Sequence, residues 1–174
     1  MAINPALYSS RRLDWGTPQW LFDALNEEFN FTLDAAASPE NAKCPIFLTE
    51  EDDALEYPWS EHRVFLNPPY GRDIGRWMAH SAEMAVGYNT LVVVLIHART
   101  DTKWWHSCVM PFASELRFVP GRVRFEGAPS SSPFPSVVVV FRPGGRPSGE
   151  PLIAKEGPRN SRMRRMSPPT VVPE

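Results

Sequence analysis

Apolar and polar positions change period along this chain in an order that spells out its elements. From Thr17-Pro18 onward, Trp20, Leu21, Ala24, Leu25 and Phe29 recur at helical spacing, with Thr17 as N-cap and Pro18 at the first helical position. Phe29-Asn30-Phe31-Thr32-Leu33 then alternates into Asp34 as a strand does, and the small-residue turn Ala35-Ala36-Ala37-Ser38-Pro39 follows. Residues 46–49 are a second short apolar stretch, ahead of the acidic run Glu50-Glu51-Asp52-Asp53. Residues 63–66 read as a third strand that stops at Asn67-Pro68-Pro69-Tyr70.

Helical spacing resumes over 74–86, through Ile74, Trp77, Met78, Ala82 and Ala85. Residues 90–96 are an almost unbroken β-branched run, the mark of a strand buried on both faces of a parallel sheet. Residues 102–109 read as helix, 116–119 and 123–125 as short strands about a turn at Gly121, and 135–141 as another buried strand. Strands alternate with helices until strands cluster at the end. That order predicts a doubly wound, mostly parallel α/β sheet with an antiparallel C-terminal strand. Residues 1–16 read as an irregular lead-in and 17–142 as one domain. Residues 143–174, rich in Pro, Gly and Arg without apolar period, read as a disordered tail. Its basic cluster, Arg159, Arg162, Arg164 and Arg165, is suited to phosphate contacts or simply to keeping the end solvated.

Composition narrows the class. With 43% hydrophobic and 22% charged residues the chain is that of a soluble globular protein, and 174 residues suffice for one real core. A net charge of −2 gives no global signal for nucleic acid, which leaves only a local patch to carry one. Cys44 and Cys108 stand far apart without metal or redox spacing, so neither a disulfide framework nor a metal site is indicated. No apolar signal segment and no stretch of membrane-spanning length occurs, which points to a cytoplasmic protein.

Candidate chemistry concentrates where strands end. Pro68 and Pro69 remove two backbone donors and fix φ, so neither ladder nor helix continues, and Asn67 is held extended before them. The turn gathers an amide oxygen, a free carbonyl and the Tyr70 ring at a strand's C-terminal end, the ligand-binding edge of open α/β sheets. That set suits a planar base carrying an amino group. Asp34 closes a strand before a small-residue turn, where its carboxylate either accepts from a cofactor hydroxyl or amine or caps the following segment. Of Asp52 and Asp53, one is placed to point into the crevice as an acceptor, and Asp53 lies nearer the apolar anchor Leu55. After the run 90–96, Arg99 and Lys103 are candidates for phosphate contacts. Trp104 or Trp105 is a candidate to stack on bases, against the alternative that Trp105 is core. Arg122 and Arg124 flank Val123 in a hairpin that could lie along a nucleic-acid backbone.

Six blocks in this order resemble the phage and prophage DNA N6-adenine methyltransferase (Dam-like) family: Thr17-Pro18-Gln19-Trp20-Leu21-Phe22, Leu33 to Ser38, Asp53-Ala54-Leu55, Asn67-Pro68-Pro69-Tyr70, Ala98-Arg99-Thr100-Asp101-Thr102 and Gly121-Arg122-Val123-Arg124-Phe125. The resemblance spans Trp15 to about Phe141. It implies a Rossmann-like, S-adenosylmethionine-dependent fold and methyl transfer to adenine N6 in DNA, the target base being flipped out. It further implies a reaction centre at Asn67, Pro68, Pro69 and Tyr70, and a cofactor pocket bordered by Thr17, Pro18, Asp34, Ala35, Ala36 and Asp53. DNA contacts fall to Arg99, Lys103, Trp104, Arg122 and Arg124, and no metal is called for. Two departures stand out. Ala35-Ala36-Ala37-Ser38 replaces the glycines common in the turn after the first strand, and His97 stands where the family tends to have a proline. Two other readings use the same residues: a methyltransferase acting on RNA or a protein glutamine, and a non-catalytic DNA-binding module derived from such an enzyme.

Overall fold

A computed structural model describes residues 15–147 and 149–161. Among the described residues, seven strands form one sheet: β1 (Leu33–Asp34), β2 (Ile46–Phe47), β3 (Arg63–Leu66), β4 (Leu91–His97), β5 (Glu115–Phe118), β6 (Ser136–Phe141) and β7 (Ile153–Glu156). Their order across the sheet is β2-β1-β3-β4-β6-β5-β7. The pairs β1–β2, β1–β3, β3–β4 and β5–β7 are parallel, whereas β6 runs antiparallel to both β4 and β5.

Alternation along β4 splits the core into two layers. Val92, Val94 and Ile96 face α2 (Ile74–Gly87), the wide π-type segment Trp105–Val109 and Trp59. Val93 and Leu95, with Phe65, Val138 and Val140, face α1 (Gln19–Phe29), which buries Leu21, Phe22, Leu25 and Phe29. Helices thus cover both faces, as a doubly wound sheet requires.

Several local expectations shift. Helix α1 begins one residue late, because Pro18 keeps an extended ψ of 137° and serves as the N-cap itself, its carbonyl accepting from the Leu21 N–H. The alternating stretch 29–33 is not a strand until Leu33. Asn30 is left-handed (φ 50°) and ends α1, and Phe31 is tied back by its N–H to the Asn26 amide. Residues 123–125 alternate correctly, with Val123 and Phe125 buried and Arg122 and Arg124 exposed, yet they pair with no strand among the described residues.

The tail reading needs correction at residues 153–156. They form β7, in register with Glu115–Phe118, and Lys155 reaches Glu115 at 2.7 Å. All four residues are exposed, so β7 carries no apolar signal; backbone pairing and an ion pair specify it. Arg162, Arg164 and Arg165 lie outside the described residues, while Arg159 pairs with Glu156.

Candidate active site

The chain runs from β1 outward to β2, then crosses back to place β3 on the other side of β1. Strand order therefore reverses between β1 and β3, and ligands of such sheets bind at the C-terminal edge of that crevice. Asp34 ends β1 there, and Asn67 follows the last residue of β3.

The Asn67 amide is held in one orientation. Its Nδ2 donates to the Trp15 carbonyl at 2.8 Å. A carbonyl can only accept, so the amino end must face Trp15 and the oxygen must face away. That oxygen, Oδ1, is buried and has no hydrogen-bond partner among the described residues. The usual local remedy is an Asx turn, in which the asparagine oxygen accepts from the N–H two residues on. Pro69 occupies that position and has no N–H; neither does Pro68. The two prolines thus keep open an acceptor that burial makes costly to leave unmet.

Tyr70 lies across the end of β4, its hydroxyl donating to the Leu95 carbonyl at 3.3 Å. Burial pushes its phenol far above the ordinary range, so it stays protonated. One face of the ring is covered by His97, with centroids 4.1 Å apart and planes 15° from parallel, and Phe125 meets it edge-on at 5.9 Å. Pro68 is buried and Pro69 half-buried beside them.

On the β1 side, Asp34 is only 3% exposed. Its Oδ2 accepts from the Lys43 N–H at 2.9 Å, and the Ala36 N–H also bonds it, so it clasps the loop that Ala35 and Ala36 begin. Burial outweighs these bonds and raises its pKa from 3.8 to about 6. Thr17 and Pro18 are buried at the start of α1, and the preceding Gly16 carbonyl accepts from the Glu126 N–H at 2.8 Å. Asp52 is engaged locally: its Oδ2 accepts from both the N–H and the hydroxyl of Thr49 at 2.7 Å, a capping box on a short 3-10 turn. Asp53 follows in a left-handed conformation (φ 43°) with its side chain exposed, which makes it the less committed carboxylate of the two.

The predicted cations sit on loops at the same edge. Arg99 is exposed just past β4, 5.4 Å from the Phe134 ring centroid and 3.5 Å from Asp101; Lys103 follows, and Arg122 and Arg124 are exposed on the β5–β6 loop. Trp104 is half-buried against the core and meets Trp105 at 5.8 Å, while Trp105 is 2% exposed and belongs to the core. No group of three or more His, Cys, Asp or Glu placed to hold a metal occurs among the described residues.

Sequence reasoning assigned no role to two contributors. The Trp15 carbonyl carries no sequence signal, because any residue supplies one. His97 had a signal, the period-two alternation of β4, which puts Val93, Leu95 and His97 on the face shared with Phe125 and Tyr70.

A doubly wound sheet with an Asn-Pro-Pro-Tyr turn at its switch point matches the Rossmann-like architecture of methyltransferases. The profile described as DNA N-6-adenine-methyltransferase (Dam) matches residues 6–150. A DNA N-6-adenine-methyltransferase of Haemophilus phage HP1 is 28% identical over 136 residues, covering 74% of this chain and 78% of the phage protein. Another of the same description, from Escherichia phage T1, is 34% identical over 94 residues, or 52% of this chain and 38% of the relative. The chain belongs to the DNA N-6-adenine-methyltransferase (Dam) family, and it is an adenine-specific DNA methyltransferase.

Proposed function

We propose that Asn67, Pro68, Pro69 and Tyr70 form the reaction centre for transfer of a methyl group from S-adenosylmethionine to N6 of an adenine flipped out of DNA. The observation that carries this reading is the buried Oδ1 of Asn67, without a hydrogen-bond partner among the described residues, fixed by an acceptor on its other side and protected from local quenching by two prolines. Adenine N6 is a poor nucleophile because its lone pair is delocalised into the ring. Acceptance of its two hydrogens by Asn67 Oδ1 and the Pro68 carbonyl draws the nitrogen toward sp³ geometry and aims the lone pair. This is orientation combined with stabilisation of the positive charge that develops there. Tyr70 offers a ring for the base to stack on once it leaves the duplex.

The cofactor, when bound, supplies an electrophilic methyl group on a positively charged sulfur. The residues at the β1 side fit such a group. Asp34 is a buried carboxylate whose raised pKa an adjacent cation would lower, and Ala35-Ala36-Ala37 carry only methyl groups where the cofactor must approach the backbone. Thr17, Pro18, Asp34, Ala35, Ala36 and Asp53 are the residues to hold it. Arg99 and Lys103, past β4, and Arg122 and Arg124, past β5, supply phosphate contacts along the same sheet edge on the β3 side of the crevice, and Trp104 adds a ring next to Lys103.

Transfer of labelled methyl groups to DNA, RNA and protein, compared between the wild type and Asn67→Ala, tests the reading. Label in DNA from the wild type only, with cofactor binding retained by the variant, is the expected result. Label in RNA or in protein instead would give the site a different amino group. Activity retained by Asn67→Ala would remove Asn67 from the reaction.

A further inference from the structure

Tyr70 is not held by its hydroxyl alone. The imidazole of His97 lies flat on its ring, and that imidazole is itself anchored. The Ser132 hydroxyl donates its one proton to the Phe134 carbonyl at 3.0 Å, so toward His97 the same oxygen can only accept. His97 Nε2, 3.1 Å away, is therefore the N–H donor. The Phe134 N–H adds a further bond to this oxygen at 3.3 Å, and the Phe134 ring leans on the imidazole at 5.2 Å. The backbone is equally fixed: His97 is in register with Ser136, and the Ala98 N–H bonds the Pro135 carbonyl at 2.9 Å. Burial, aided by the nearby Arg99 charge, pushes the imidazole down to about 4, so at neutral pH it stacks as an uncharged ring.

We propose that His97 is a positioning residue for base capture: anchored through Ser132, its imidazole occupies one face of Tyr70, sets the plane of that ring and leaves the opposite face for the extrahelical adenine. The proposal rests on reading Tyr70 as the stacking partner of the base. Stacked flat rings resist tilting and not merely sliding, because their contact area falls as the planes diverge. Without His97, the Tyr70 ring keeps its bond to Leu95 and its edge contact with Phe125, and neither of these fixes its tilt.

Four variants test this, His97→Ala, His97→Phe, Ser132→Ala and Tyr70→Ala, by single-turnover methylation of unmethylated DNA and KM for DNA. Calorimetric cofactor stoichiometry counts the folded sites. Loss of a stacked ring should slow His97→Ala about tenfold per folded site and raise KM for DNA, at unchanged cofactor affinity. His97→Phe, which keeps a flat ring, should recover to within about threefold of wild type, and Ser132→Ala should fall between the two. A wild-type rate and KM in His97→Ala would overturn the proposal, as would His97→Phe no better than His97→Ala. Should His97→Ala fail to fold, His97→Phe and Ser132→Ala decide: near-wild-type His97→Phe with a slowed Ser132→Ala supports the platform, and any other pair of results overturns it. Tyr70→Ala separates the two levels. If it transfers methyl groups at the wild-type rate, the stacking role of Tyr70 falls as well; if it is slow while His97→Ala is not, only the platform falls.

Discussion

At the scale of single residues, the site is organised by what its neighbours are unable to do. Trp15 presents a carbonyl that cannot donate, and Pro68 and Pro69 have no N–H to offer, so among the described residues the buried Asn67 oxygen has no partner. Pro69→Ala tests this directly. The new N–H stands two residues beyond Asn67 and can close an Asx turn on Oδ1. We expect methyl transfer to fall by about tenfold, since one quenching hydrogen bond to the acceptor is worth about 1 kcal/mol or more, while thermal stability changes little because the chain entropy that loss of a proline returns to the unfolded state offsets that bond. Rates equal to wild type would show that the free oxygen is not what the prolines protect.

Asp34 makes a prediction of opposite character. Its folded-state pKa, about 6, lies above the ordinary 3.8. An acid raised in this way favours folding in its protonated form, so its contribution is complete below about 3.8 and is lost as pH rises through about 6. Asp34→Asn has no such titration. In denaturant titrations, the stability difference between wild type and variant should shift in the variant's favour by roughly 3 kcal/mol between these limits. A difference that stays constant with pH would contradict the assigned burial of the charge. At this scale the end of β3 at the two prolines is legible in sequence, because their backbone consequences are local. The orientation of the amide is not, since it depends on a carbonyl 52 positions earlier.

At the scale of elements, legibility followed burial. Strands β3, β4 and β6 and both long helices announce themselves because their apolar positions meet a core at a fixed period. Two failures have the same physical origin. Residues 123–125 alternate because one side is buried, and alternation reports burial, not pairing. Strand β7 pairs without burying anything, so nothing in its residues marks it. What holds that edge is charge. Glu115, 5% exposed, accepts from Arg117 and Lys155 at 2.9 and 2.7 Å and from Arg142, and Arg117 also bonds Glu28 of α1 at 2.6 and 2.7 Å. Burial alone would raise the Glu115 pKa, but its three cationic donors prevail and bring it to about 2. Glu115→Gln leaves the buried Arg117 with Glu28 alone. With Arg117 still bonded to Glu28, losing the Glu115 charge should cost about 1.5 kcal/mol in denaturant unfolding, with hydrogen exchange at β7 accelerated in parallel. A loss below about 0.5 kcal/mol would place the network with ordinary surface pairs.

At the scale of the whole molecule, function depends on an arrangement that bulk numbers conceal. The net charge of −2 averages acidic segments against the cations of two loops, and only the fold reveals that Arg99, Lys103, Arg122 and Arg124 share the edge where β3 and β4 end. If these side chains contact phosphates, DNA binding should weaken steeply with salt. Replacing both Arg122 and Arg124 by Ala should make the log–log slope shallower by about 1.8, roughly 0.9 for each contact removed. An unchanged slope would move the DNA elsewhere on the surface.

The central claim joins the two sides of the switch point into one reaction, with Asn67 at its centre. DNA from a methylation-free bacterial host expressing this chain, hydrolysed and assayed for N6-methyladenine, measures it most directly. N6-methyladenine in DNA from cells making the wild type, and none from cells making comparable amounts of folded Asn67→Ala, is the predicted outcome. Equal N6-methyladenine in both, or none with folded wild type, would contradict the account.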